Sequence, residues 1–267
     1  MNIGVPKERR PFEYRVGLSP LGVELLTAAG HTCFVEAGAG LGSGFADGDY
    51  TAAGGQIVYS RDEAYGRADM VLKVARPLPD EIELLVDGQI LMGLLHMASA
   101  APEKLAALAA KRITTIAYEQ IQLDDGSLPV LRPLSQIGGR MTAQIAATLL
   151  QNNRGGKGVL LGGVPGVPPA EVVILGAGTV GTEAARTFLA LGAHVTLLDR
   201  DLTRLQAAES RCEGRPTTLV AYPSNVERVA RFADVLIGAV LVPGERAPVV
   251  VPRAVVRSMK PRSVILD

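Results

Sequence analysis

The sequence predicts an α/β protein with two doubly wound parallel-sheet domains, and three observations predict it. Short apolar segments alternate with helix-period stretches along the chain. A glycine cluster lies between such a segment and a helical pattern in the second half. The 267 residues include 30 glycines and no tryptophan, which is typical of sheets with tight strand-to-helix turns. We expect one domain over residues 1–130 and a second over 131–267, with a long connecting helix over 135–150.

The first half shows six predicted strands alternating with helical patterns, which indicates a parallel sheet. The predicted strands are Asn2–Val5, Thr32–Glu36, Gln56–Val58, Met70–Val74, Ile90–Leu94 and Thr114–Ala117. The predicted helices are Leu21–Ala29, Asp62–Gly66, Pro79–Val86 and Pro102–Lys111, and two of them carry proline in the first turn, where its missing N–H costs nothing. The glycine-rich segment 37–45 is a poor phosphate loop, because no Lys-Ser/Thr pair follows it and no long helix opens from it.

The second half shows five predicted strands with helical crossovers, which implies the strand order 3-2-1-4-5 within that sheet. A glycine- and proline-rich link over 155–169 precedes it, and we expect this apolar link to lie ordered between the domains. The predicted strands are Val172–Leu175, His194–Leu198, Thr217–Val220, Val235–Ala239 and Ser263–Asp267, and the predicted helices are Thr179–Leu191, Leu202–Arg211, Asn225–Phe232 and Pro252–Met259. A sixth strand would ordinarily follow Asp267, so we expect a truncated sheet that lacks its last strand or strands.

The glycine cluster is the dinucleotide-binding fingerprint GxGxxG in its full setting. Gly176 permits the tight turn, Gly178 lets the backbone approach a pyrophosphate, and Gly181 allows close packing of helix on strand. The free N–H groups at the start of the helix favour an anion. Asp199, at the tip of the next strand, is placed to accept hydrogen bonds from both ribose hydroxyls and would repel a 2′-phosphate. The pattern therefore predicts NAD rather than NADP.

Composition and charge exclude several classes of function. There are 27 basic and 27 acidic residues and no long basic run, so neither nucleic acid nor a membrane is an expected partner. Cys33 and Cys212 lack the spacing of a zinc site, and we expect no metal. Without a signal-like start or an apolar run of membrane-spanning length, we expect a soluble cytoplasmic protein.

Three residues of the first half could carry chemistry. His96 follows an apolar run at the carboxyl end of a predicted strand, where α/β sheets place their sites, although a structural hydrogen-bonded His is the alternative. Arg15 lies in a polar loop after the first strand and is either a carboxylate clamp or, more commonly, a surface residue. Lys73 lies inside a predicted strand, so it must be paired or lie at the end of the sheet, unless its side chain snorkels.

With these residues assembled, the whole chain resembles an alanine dehydrogenase, the group related to the NAD-binding subunit of proton-pumping transhydrogenase. The most specific motifs are GGVPGV within 160–170 and AVLVPG within 237–244. Further motifs are IGVPKE at 3–8, EYRVGLSP at 13–20, EAGAGLGSGF at 36–45, GQILMGLLH at 88–96, AYEQ at 117–120 and the PLS…GR…AQ run at 133–144.

The resemblance implies reversible oxidative deamination, in which L-alanine, NAD and water give pyruvate, ammonia and NADH. It implies that Arg15 holds the substrate carboxylate and that His96 is the general acid/base for the carbinolamine oxygen. It also implies a substrate role for 1–130 and a homo-oligomer, often a hexamer. On the cofactor side, beyond the glycines and Asp199, it implicates Ser135, Thr179, Val180, Arg204, Val240 and Leu241.

Two departures from the family pattern bear on activity. The usual segment reads KVKEP, whose second Lys also grips the substrate carboxylate, but this chain has Lys73-Val74-Ala75-Arg76-Pro77. Lys73 belongs to the ordinary pattern and is not an added partner, so we expect weaker carboxylate binding, with Arg76 the remaining candidate for compensation. The family's catalytic Asp follows the fifth strand and is not in this sequence. A different 2-oxo or 2-amino acid substrate, or a non-catalytic NAD-binding module like a transhydrogenase subunit, stays open.

Overall fold

The computed structural model describes residues 1–242, 244–245 and 247–267. These residues form two compact units, Met1–Leu128 and Pro129–Asp267. Each unit is built around its own parallel sheet, of six and five strands respectively. The predicted fold class of two parallel-sheet α/β domains is confirmed.

The first unit alternates strands and helices as predicted, with small shifts at the ends. Its strands are β1 (Asn2–Val5), β2 (Thr32–Glu36), β3 (Gln56–Val58), β4 (Met70–Ala75), β5 (Ile90–Leu94) and β6 (Thr114–Ala117). Its helices are α1 (Pro20–Ala28), α2 (Asp47–Ala52), α3 (Arg61–Gly66), α4 (Pro79–Leu84) and α5 (Pro102–Ala110). The sheet order is β3-β2-β1-β4-β5-β6, so β1 and β4 are the central neighbours from which the chain winds in opposite directions.

Helix α2 is the one α-helix of the first unit that the periodicity did not predict. It buries a single residue, Tyr50, so it has no apolar stripe to recognise in the sequence. Polar groups define its start: Asp49 accepts the N–H of Ala46 at 2.7 Å, and Asp47 accepts that of Gly38 at 2.8 Å. The Tyr50 hydroxyl donates to the carbonyl of Leu18 at 3.0 Å. Helix α2 thus ties the glycine-rich segment to the loop that precedes α1.

The second unit follows the predicted order of elements. Its strands are β7 (Glu171–Leu175), β8 (His194–Asp199), β9 (Thr217–Val220), β10 (Val235–Gly238) and β11 (Val264–Leu266). Its helices are α6 (Leu131–Leu149), α7 (Thr179–Ala190), α8 (Leu202–Arg211), α9 (Pro223–Ala230) and α10 (Arg253–Ser258). The sheet order β11-β10-β7-β8-β9 is the predicted 3-2-1-4-5 read from the opposite edge.

Helix α6 starts at Leu131, before the predicted start at Ser135, and Pro133 lies in its first turn, where proline is tolerated. It belongs to the second unit and packs against α7 through Gly139, where an added Cβ would lie 2.5 Å from the carbonyl oxygen of Val180. The link that follows is ordered against the same unit: Leu161 is buried in its core and its carbonyl accepts the N–H of Ala170. Within the described ranges, no helix is both long and apolar enough to cross a membrane.

Candidate active site

The carboxyl ends of β1, β4 and β5 bring the candidate residues of the first unit to one edge of the sheet. The loop after β1 carries Arg15 and runs over β4, since a Cβ added at Gly17 would lie 2.3 Å from the carbonyl oxygen of Leu72. Strand β4 pairs in parallel with β5, and Ala75 is in register with Leu94, two residues before His96. The topology therefore places the segments of Arg15, Lys73 and His96 next to one another.

Arg15 already holds a carboxylate in the geometry expected of a clamp. Its Nε and Nη2 donate to the two carboxylate oxygens of Glu13 at 2.8 and 2.7 Å. This hydrogen bonding to Glu13 keeps the pKa of Arg15 above its usual range, and the same bonds to Arg15 lower the pKa of Glu13. The Arg15 side chain is half exposed, whereas that of Glu13 is largely buried. A guanidinium oriented in this way still has Nη1 to offer to an incoming anion.

The glycine-rich segment 37–45 supports the Arg15 loop. A Cβ at Gly42 would lie 2.5 Å from the carbonyl oxygen of Tyr14, and the Ser43 hydroxyl donates to that same oxygen at 3.0 Å. Gly40 packs with equal closeness against the ring of Tyr50. The glycines at 40 and 42 therefore serve close packing of the loop that carries Arg15.

His96 lies directly beyond β5 in an unusual backbone conformation. Its φ of 45° is in the left-handed region, which is strained for a residue with a side chain. Glu119, just beyond β6, stabilises this turn: its carboxylate accepts the N–H of His96 at 2.6 Å and that of Leu95 at 3.2 Å. The same carboxylate lies 3.9 Å from the imidazole Nδ1. The imidazole is half exposed, so it is available to a ligand above the sheet edge.

Lys73 is enclosed, with no exposed side-chain surface. Its ammonium lies 2.8 Å from Glu81 and 3.1 Å from Glu8, both almost fully buried. Glu8 also accepts the N–H of Val74 at 2.6 Å, and Glu81 accepts that of Leu78 at 2.7 Å. Of the alternatives considered for Lys73, the structure therefore shows the one in which its charge is paired. This triad fixes the backbone at the end of β4, where the pairing with β5 shifts register between Leu72 and Ala75.

The fingerprint of the second unit has the geometry that its glycines predict. Gly176 has a φ of 107°, and a Cβ there would lie 2.4 Å from the carbonyl oxygen of Ala239. At Gly181 a Cβ would lie 1.8 Å from the carbonyl oxygen of Gly176, so only glycine lets α7 approach the turn. Gly178 differs: a Cβ there would meet no described atom within 4 Å, so the space above the first turn of α7 is open. This open space beside unpaired helix N–H groups fits a pyrophosphate.

Asp199 reaches the same turn from the tip of β8. Its carboxylate accepts the N–H of Ala177, between the first two fingerprint glycines, at 2.7 Å. It also accepts the N–H of Asp201 at 2.9 Å and remains partly exposed. A carboxylate held beside the glycine turn has the position required for the ribose hydroxyls of a dinucleotide.

The other predicted cofactor residues lie at different places relative to this turn. Thr179 and Val180 form the first turn of α7 and are half-buried, and Ser135 precedes Gly139 by one helical turn on the face of α6 that meets Val180. Val240 and Leu241 follow β10. Ala239, which precedes them, is the residue whose carbonyl oxygen lies close to Gly176. Arg204 is on α8, is mostly exposed and lies 3.7 Å from Asp201.

Sequence reasoning missed the acidic partners of the candidate site. Glu13, Glu119 and the Glu8–Glu81 pair orient Arg15, His96 and Lys73 respectively. Glu119 could have been found, because it lies two residues beyond the end of a predicted strand, at the same sheet edge as His96. Nothing in the spacing of Glu81, on helix α4, indicates its contact with Lys73.

Together the two sheets and the fingerprint define a two-domain dinucleotide-binding α/β protein. Two family models match the chain: "Alanine dehydrogenase/PNT, N-terminal domain" over residues 4–138 and "Alanine dehydrogenase/PNT, C-terminal domain" over 142–267. The chain therefore belongs to the alanine dehydrogenase/PNT family, as the motifs predicted.

Individual relatives agree with this assignment. The alanine dehydrogenase of Methanococcus maripaludis is 49% identical over all 267 residues, which span 71% of that protein. A solved L-alanine dehydrogenase is also 49% identical and superposes with a TM-score of 0.86, over 99% of this chain and 73% of the other. The transhydrogenase from Sinorhizobium meliloti is more distant, at 29% identity and a TM-score of 0.75, over 99% of this chain and 77% of the other.

Proposed function

We propose that this chain catalyses the NAD-dependent, reversible oxidative deamination of L-alanine to pyruvate and ammonia. The observation that carries the cofactor assignment is the Asp199 carboxylate held against Ala177 in the glycine turn, with open space at Gly178. The identity to alanine dehydrogenases over the whole chain supports the substrate. We also propose a homo-oligomer in the cytoplasm, as the family resemblance implies.

On the substrate side, the proposed roles follow from the chemistry of each group. Arg15, oriented by Glu13, binds the substrate carboxylate through charge-assisted hydrogen bonds. His96, half exposed beyond β5 and supported by Glu119, moves protons to and from the substrate oxygen as general acid/base. Lys73 has a positioning role: enclosed by two carboxylates, it fixes the backbone that carries the edge of the site.

On the cofactor side, the fingerprint glycines receive the pyrophosphate at the start of α7 and Asp199 receives the adenosine ribose. Ser135, Thr179, Val180, Arg204, Val240 and Leu241 complete the proposed cofactor contacts. NAD, when bound, accepts the hydride from the substrate Cα; the chain contributes binding and alignment.

Calorimetric titration with NADH and NADPH tests the cofactor assignment. We expect NADH to bind and NADPH to bind at least about tenfold more weakly, because Asp199 repels the 2′-phosphate. Asp199→Asn should narrow this difference in affinity, because NADH should bind more weakly to the variant. Asp201→Asn is the matched control: it removes a carboxylate two residues after Asp199, and the asparagine can still cap the start of α8. Absence of NADH binding by the folded protein would refute the assignment.

Absorbance of NADH during incubation with alanine, or with pyruvate and ammonia, tests the substrate. Ala75 and Arg76, in place of the family's Lys and Glu, favour a second candidate, a different 2-oxo or 2-amino acid. A panel of amino and oxo acids separates the two: turnover of another acid but not of alanine would refute the first. A chain that binds NADH but turns over no acid would refute both.

A further inference from the structure

Three basic side chains gather at the carboxyl end of β4, beside the candidate active site. Arg10 is in the loop after β1, Arg76 directly follows β4, and Lys104 is in the first turn of α5. The Arg10 Nε donates to the carbonyl of Arg76 at 3.0 Å, and the Lys104 ammonium donates to the carbonyl of Pro77 at 2.9 Å. Arg10 and Lys104, from separate elements, thus donate to adjacent backbone carbonyls, and Arg76 belongs to the same peptide segment.

No carboxylate forms an ion pair with this cluster in the part of the chain that the structure describes. None of the three cations has a carboxylate oxygen within the 4.0 Å of an ion pair. Three acids of the same unit are paired with other cations: Glu81 with Lys73, Asp80 with Arg61 and Glu36 with Arg9. All three cations are partly buried, so water screens their mutual repulsion incompletely. The positive charges of Arg10 and Arg76 act on Lys104, and a bound anion would offset this repulsion.

We propose that Arg10, Arg76 and Lys104 form a binding site for an oxyanion, the carboxylate or phosphate group of a small ligand. Two guanidinium groups and an ammonium offer the planar and point-charge donors that such groups prefer. The site lies beyond β4, where Ala75 is in register with Leu94 near His96. It can therefore receive either a free anion or the second acidic group of a ligand bound at Arg15.

The electrostatics of Lys104 are consistent with this site. Burial, together with the positive charges of Arg10, Arg76 and Lys73, lowers the pKa of Lys104 to about 8, although Glu81 opposes the shift. A bound anion would favour the protonated ammonium and raise this pKa. By linkage, malonate, whose own charge is constant from about pH 7 upward, should bind most tightly near pH 7 and more weakly as the pH rises above about 8.

Isothermal titration of the full chain with malonate and, separately, with inorganic phosphate tests the site at constant ionic strength. We expect one or both to bind, and the two arms distinguish carboxylate from phosphate. Arg76→Gln and Lys104→Met should each weaken binding about tenfold or more. Arg112→Gln is the matched control: it removes one exposed cation of the same unit, which is paired with Asp87, and should leave the affinity unchanged.

Three results would overturn the proposal. One is that neither anion binds at pH 7 to the folded protein. Another is that Arg76→Gln and Lys104→Met bind as the parent does while Arg15→Gln does not, which would place the anion at Arg15. The third is a malonate affinity of Lys104→Met that changes with pH between pH 7 and pH 10 as that of the parent does, since the parent should lose affinity as Lys104 deprotonates and the variant has no such group to titrate. Titration with NADH is independent of all three results, so failure of this site is distinguishable from failure of the proposed dehydrogenase function.

Discussion

At the residue scale, each candidate catalytic side chain depends on a carboxylate that the motifs do not mark as its partner. Glu13 holds the guanidinium of Arg15, and Glu119 holds the backbone of His96. Polar groups oriented by charge-assisted hydrogen bonds lose little freedom when a ligand arrives, which favours precise chemistry. Glu13 lies in the same loop as Arg15, whereas Glu119 lies beyond β6 and reaches His96 from the neighbouring strand end.

Replacing Glu119 tests its role as a positioning residue. Glu119→Ala removes the acceptor for the N–H groups of Leu95 and His96, so the left-handed turn at His96 should relax. We expect kcat for the reductive amination of pyruvate to fall about tenfold or more, because the imidazole is misplaced, while the Kd for NADH is unchanged. Glu119→Gln, which keeps one acceptor oxygen, should recover part of the rate. An equal loss in both variants, or a weakened NADH affinity, would contradict this role.

Ala75 is the residue whose substitution should most directly change substrate use. Strand β4 ends at this residue, which is half-buried, and its N–H is accepted by Glu8 at 3.3 Å. Ala75→Lys restores the family's second cation and should raise kcat/KM for pyruvate by about tenfold or more. Ala75→Met is the control of similar length without charge. If lysine gives no more activity than methionine, the substrate carboxylate does not approach this position.

At the element scale, two glycines at the start of α7 have opposite surroundings: Gly178 directly precedes the helix and Gly181 lies in its first turn. This contrast separates folding from binding. A Cβ at Gly181 would lie 1.8 Å from a backbone oxygen, whereas one at Gly178 would meet no described atom within 4 Å. We expect Gly181→Ala to lower the free energy of unfolding by about 2–3 kcal/mol, since helix and turn must separate. Urea titration of the second unit's unfolding transition measures this change.

Gly178→Ala should have the complementary effect. Its φ of −73° is accessible to alanine, so the only expected cost is that of a poorer N-cap, and we expect the unfolding free energy to fall by no more than about 1 kcal/mol. NADH affinity should fall about tenfold or more, because the methyl group occupies the space of the pyrophosphate. If the alanine variant binds NADH as the parent does, the pyrophosphate does not lie on this turn.

At the scale of the whole molecule, buried carboxylates in the second unit make its stability sensitive to acid. Burial pushes the pKa of Glu183 upward, but Arg140 and Arg186 outweigh it, and the pKa is lowered below the ordinary 4.5. Burial likewise raises the pKa of Asp234. The hydrogen bonds from the N–H of Glu171 and from Lys157 and Lys260 outweigh this effect and lower the pKa below the ordinary 3.8. A carboxylate whose pKa is lower in the folded state than in the unfolded state stabilises the fold at any pH above its unfolded-state pKa. This stabilisation is lost as the pH falls through the folded-state pKa.

We therefore expect the free energy of unfolding of the second unit to decrease as pH falls below about 4.5, and steeply below 3.8. Urea titrations at a series of pH values, followed by circular dichroism, measure this decrease. Asp234→Asn should be less stable than the parent at pH 7, because Lys157 and Lys260 lose their partner, and should show a shallower pH dependence. A variant with the same pH dependence as the parent would show that Asp234 does not contribute to it.

The sequence alone determined the strand order of the second sheet, the family and the fingerprint, because periodicity and glycine spacing are local signals. It did not reveal α2, which buries only Tyr50, nor the full burial of Lys73 between Glu8 and Glu81. The cluster of Arg10, Arg76 and Lys104 joins residues from three separate elements and was equally invisible. Contacts between residues distant in sequence depend on how strands and helices pack, so only the tertiary structure decided which charges are paired and which await an anion.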